Sequence, residues 1–152
     1  MFKSFLKFAL IVLIAHIVTY FIAGIIAQLV LGANEFYPPS PHAISYLRDP
    51  HDPSLQIWIL PAQALRGLLY ALALFPLRKR FIEMSTWAGG FMFGTIIFLI
   101  GYVAASGGII EHFVYFNEYP FKFAVISFFE ILIQVVLMGP LVVSSIKRFK
   151  VE

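Results

Sequence analysis

Two charged residues stand in apolar surroundings and set the chemistry this chain is able to do. Arg66 lies within the stretch WILPAQALRGLLYALALFPLRKR, and Glu130 lies within a second apolar run that starts at Phe121. A guanidinium keeps its charge in any protein environment, so it needs acceptors. A charge near the middle of a bilayer costs about 3 kcal/mol on insertion scales and faces a partner or a watery cavity. Arg66 is nine residues in from an expected helix start at Ile57, and Glu130 is nine in from Phe121. At ~1.5 Å per residue both would sit roughly 14 Å below the same boundary. The expectation is an Arg66–Glu130 pair, direct or through water.

The neighbours extend this into a polar network. Gln63, Arg66 and Tyr70 are spaced i, i+3, i+7 and share one helix side, as do Ser127, Glu130 and Gln134. His16 and Tyr20 stand four apart in the first apolar run, with Gly24 and Ala27 continuing their stripe. Thr95 and Tyr102 are the polar groups of the third. Arg66, Glu130, Gln63, Tyr70, Gln134, Tyr20 and His16 are the expected intramembrane network, each group satisfying another. Fixing helix register accounts for such a network as well as catalysis does.

Other chemistries are thinner. His16 is the only histidine within a span. A haem held by two histidines needs a second one at its depth, and His42, His51 and His112 fall at or beyond the opposite boundary. A hydrogen-bonded packing histidine is expected, and no cofactor. The loops on that side gather Glu111, His112, His42 and His51, together with Glu35, Asp49, Asp52 and Glu118. Asp49-Pro50-His51-Asp52 has donor types suited to zinc or copper but no ligand spacing. A solvated polar loop is the expectation, with no metal. Ser106 near Glu111 and His112 offers residue types for acyl transfer, without the strand–turn–helix elbow that would aim a nucleophile. With no cysteine in the chain, disulfides, thiol catalysis and cysteine-held metals are excluded.

The elements that must position these groups follow from composition. Of 152 residues, 61% are hydrophobic and 12% charged, and the mean hydropathy is +0.88. A water-soluble domain of this size cannot hide that much apolar surface. The reading is an all-α integral membrane protein: a single domain over residues 1–152, with four transmembrane helices in a bundle at about 5–31, 57–77, 86–106 and 121–146. The first run is roughly twice the length of a signal-peptide core, so a retained helix is favoured over a cleaved signal. Residues 32–56 form an outer loop holding five prolines, expected to be extended and to lie in water or headgroups. Pro61 is expected in the first turn of the second helix, Pro76 near its last, and Gly139-Pro140 is expected to kink the fourth. Residues 107–120 are too polar to span and are expected to include a short interfacial helix.

Basic residues set the orientation. Eight (Lys3, Lys7, Arg78, Lys79, Arg80, Lys147, Arg148, Lys150) fall on the side of the termini, against Arg48 and Lys122 on the other. The positive-inside bias places both termini in the cytoplasm. A bacterial inner membrane is the expected location. The lipid bilayer is the expected neighbour, with room for a second copy or another membrane protein as partner, and nucleic acid is not expected. Gly90 and Gly94 form a GxxxG pair that permits close helix approach, within the chain or between copies.

Three functions compete. A non-catalytic subunit, accessory or binding module fits the lack of any catalytic motif. An oligomeric channel or carrier for protons or a small polar solute fits intramembrane charges. A membrane-embedded enzyme acting on a lipid-like substrate would use Glu130 as acid or base and Arg66 as anion holder. An ion pair between the two would spoil Glu130 for that role.

Overall fold

A computed structural model describes residues 1–44, 49, 52–103 and 121–151. All regular structure among these is helical: α1 (Phe2–Leu29), α2 (Pro53–Leu74), a short α3 (Arg78–Glu83), α4 (Thr86–Phe98) and α5 (Phe121–Arg148). Four segments, Phe2–Leu29, Pro53–Glu83, Thr86–Val103 and Phe121–Arg148, are long and apolar enough to cross a membrane. Along α1 a face of Leu10, Ile14, Val18, Ile22 and Ile25 stays exposed. A contiguous apolar stripe of that length is not what a monomer keeps against water.

The helix ends differ from expectation where local chemistry was decisive. α2 begins at Pro53, four residues before Ile57. Asp52 caps it, its carboxylate accepting from the Ser54 N–H at 2.8 Å, and Pro53 sits where a missing N–H is harmless. Pro61 is therefore inside the helix rather than in its first turn, and it leaves the carbonyl of Ile57 without a helical donor. Pro76 falls beyond α2, in a 3-10 turn over Phe75–Leu77. Arg78-Lys79-Arg80 then open α3. Ser85 caps α4, accepting from the Ala88 N–H at 3.2 Å, and α4 continues as a π-helical turn over Leu99–Val103. Pro140 lies within α5 without ending it. The expected interfacial segment, with Glu111, His112 and Glu118, lies outside the described residues, as do Ser106, Arg48 and His51.

Part of the outer loop is packed rather than extended. Gly32, at φ 78°, turns the chain off α1 in a conformation that favours glycine. Ala33–Phe36 then form a 3-10 turn. Phe36 and Ile44 are buried with Ala27, Phe123 and Ile126 in a small second core. Glu35 and Lys122 pair across it at 2.6 Å.

Successive spanning helices run in opposite senses, and the helices pack in a chain of pairs. α1 contacts α2 and α5, α5 contacts α4, and α3 tucks against α4 and α5. The main core joins Phe8 at the start of α1 to Phe81, Phe93, Met138, Val142, Ile146 and Val151, so both chain ends lie at one end of the bundle. Small residues set the close approaches. A Cβ at Gly90 would come 2.6 Å from the nitrogen of Pro140, and one at Gly94 would come 2.9 Å from the carbonyl oxygen of Val135. Gly139 lies directly against the Gly90 carbonyl. The GxxxG pair is thus covered by α5 of the same chain. α2 and α4 barely meet, leaving the bundle open on that side.

Candidate functional site

His16 is the hub of the polar layer. It is buried, and its ring touches both neighbouring helices. Nε2 lies 3.1 Å from Oε1 of Gln63 on α2, and Nδ1 lies 3.0 Å from Nε2 of Gln134 on α5. An amide nitrogen donates, so Nδ1 accepts and the ring proton sits on Nε2, donated to Gln63. Both ring nitrogens of a neutral imidazole are satisfied, and three helices are pinned at one level. Two further features fit the ring in place. Gly67 lets α2 come close, since a Cβ there would stand 3.1 Å from the Cα of Leu13 and 3.5 Å from the Cβ of His16. The Tyr70 ring meets the imidazole edge to face at 5.3 Å.

Arg66 and Glu130 do not form a direct ion pair. Arg66 is exposed and donates from Nη1 to Oε1 of Gln63 at 3.5 Å, the long limit for such a bond. Among the described residues no cation stands within ion-pair distance of Glu130. The reason lies in the helix register. Gln63 and Gln134 touch the same imidazole and are level. Arg66 is three residues beyond Gln63 towards the terminal end, and Glu130 is four residues before Gln134 towards the loop end. At ~1.5 Å per residue the backbones of the two are offset by about 10 Å along the bundle. Counting α2 from Ile57 instead of Pro53 concealed much of that offset.

The two charges therefore face different spaces. Arg66 stands in the gap between α2 and α4, a cavity of about 410 Å³ walled by Leu69, Tyr70, Ile96, Ile97 and Ile100. Gly101 admits the Tyr70 hydroxyl, which would lie 2.9 Å from any Cβ there. Glu130 faces a cleft of about 360 Å³ between the loop-end halves of α1 and α2, with Tyr20, Phe21, Gly24, Gln28, Tyr37 and Gln56 among its walls. Tyr37, in the packed loop, has its phenol pushed up to about 12, first by burial and then by the charges of Glu130 and Tyr20.

Of the expected network, His16, Gln63, Gln134 and Arg66 are joined by hydrogen bonds, Tyr70 and Tyr20 flank the histidine ring, and Glu130 stands apart. Tyr102 is buried elsewhere, donating to the Ala124 carbonyl at 2.8 Å. Thr95 lies on the other flank, in a shallow groove with Trp87 and Phe91. His42 is exposed, and among the described residues no group of three His, Asp or Glu side chains is placed to hold a metal ion. Tyr37 and Gln28 were missed as site residues. Gln28 continues the four-residue stripe His16, Tyr20, Gly24 and was findable; nothing in the loop sequence marks Tyr37.

Compared with known proteins, the chain matches no protein-family model, no curated protein and no solved structure.

Proposed function

We propose that this chain is a non-catalytic accessory protein of a membrane, a binding module in its chemistry, whose α2–α4 gap receives a transmembrane helix of a partner protein carrying a carboxylate. The observation that carries the reading is the placement of Arg66: charged, exposed, in a gap between two apolar helices, with no carboxylate among the described residues within ion-pair distance. In hydrocarbon such a guanidinium is costly, and a carboxylate brought to it by another helix offsets that cost with charge-assisted hydrogen bonds. The rest of the gap is suited to helix packing, with Leu69, Ile96, Ile97 and Ile100 as apolar walls and no acid–base pair among the described residues that line it. The basic residues at the terminal end support a topology with both termini in the cytoplasm. A bacterial inner membrane fits this topology.

The test is a photo-crosslinking amino acid at Ile100, within the gap, and another at Leu10, on the opposite exposed face, in cells of the source organism. A single membrane protein should be captured from Ile100 and not from Leu10. The captured peptide should be a transmembrane segment containing Asp or Glu, and capture should fail with Arg66→Leu. Adducts with lipid alone, or a captured segment without an acidic residue, contradict the reading.

A further inference from the structure

The cleft that holds Glu130 has the makings of a second site, independent of the α2–α4 gap. Its floor is a carboxylate with no counter-ion among the described residues. Its walls include three aromatic rings, Tyr20, Phe21 and Tyr37, and the amides of Gln28 and Gln56. Gly24 keeps the floor open: a Cβ there would stand 3.8 Å from Oε1 of Glu130, and a longer side chain would extend over the carboxylate. At about 360 Å³ the space exceeds what a bare metal ion needs and suits a molecule of several heavy atoms. A lone carboxylate offers too few ligands for a divalent ion, which takes six or more oxygens in calcium sites. Aromatic faces beside a carboxylate are instead the arrangement that holds an ammonium group, through ring quadrupoles and the single negative charge.

We infer that the Glu130 cleft binds a small organic cation, an alkylammonium of the size of choline, between Tyr20, Phe21 and Tyr37. The carboxylate supplies the charge, the rings cover the methyl or methylene groups, and the amides meet a polar tail. No covalent step is involved.

The test uses the full-length protein in nanodiscs, titrated calorimetrically with choline, with its uncharged isostere 3,3-dimethyl-1-butanol, and with sodium chloride. Choline should bind at least about tenfold more tightly than the isostere, the ratio expected when a charge-assisted contact is lost. Glu130→Gln should weaken choline by a similar factor, Gly24→Leu should abolish binding by filling the cleft, and Thr95→Val on the far flank should leave it unchanged. If Glu130→Gln does not fold, the choline-to-isostere ratio and Gly24→Leu decide the matter. Equal binding of choline and isostere, unchanged choline binding in Gly24→Leu, or a response to sodium as strong as to choline would each overturn the inference.

Discussion

α4 meets its two neighbours in opposite ways. Against α5 it presents Gly90 and Gly94, and the two backbones touch at Gly139 and Pro140. Towards α2 it presents Ile96, Ile97 and Ile100, and the helices stand apart around Arg66 and Tyr70. In a bilayer no hydrophobic force drives helices together, so close seams form where small residues allow backbone contact. Large side chains on both walls hold the other side open. The seam is architecture, and the gap is where the proposed partner helix would enter.

The largest effect should come from breaking the seam. Gly139→Leu places a side chain where the Gly90 carbonyl already lies. Backbone cannot yield as a side-chain tip does, so the loss should exceed the usual overpacking cost of about 3 kcal/mol. Thermal unfolding in detergent should find little folded protein. Next is the layer that joins the two regions. His16→Leu leaves Gln63 and Gln134 without their shared partner, at a cost of about 1–3 kcal/mol. Reversible unfolding in mixed micelles measures it, and an unchanged midpoint would deny His16 its role as hub.

How far these regions were legible in the sequence differs for the same reason. Four apolar helices follow from composition and length, and Gly90 and Gly94 announce a close seam. The network residues were also legible as types, because polar groups are scarce in such segments. Their pairing was not. It depends on axial register, and register depends on where α2 starts. Asp52-Pro53-Ser54 was an available start signal, an N-cap followed by proline, but proline-rich surroundings made it read as loop. The four-residue error amounts to about 6 Å, more than half of the axial offset between Arg66 and Glu130. The partner of Gly90 and Gly94 was illegible too, since a glycine stripe serves contacts within or between chains equally well.

Smaller effects probe the loop end. The ionisation of Tyr37, read as tyrosinate absorbance, should occur at about pH 12 and vanish in Tyr37→Phe. Glu130→Gln should bring that titration down, because it removes a negative charge that opposes a second one; an unmoved titration would separate Tyr37 from the cleft. Glu35 and Lys122 are 37% and 63% exposed in their side chains, so solvent screens their pair. Glu35→Ala should change stability by less than about 1 kcal/mol, and by less still in high salt.

An equally small effect on stability belongs to the residue with the largest proposed role, and it is the sharpest measurement. Arg66→Leu, purified alone and unfolded in mixed micelles beside the wild type, should shift the unfolding free energy by no more than about 1 kcal/mol. Gln63 keeps its bond from His16, and no carboxylate among the described residues is orphaned. A loss of about 3–5 kcal/mol, the cost of removing one partner of a buried ion pair, would show that Arg66 holds the bundle together and would contradict its assignment to a partner.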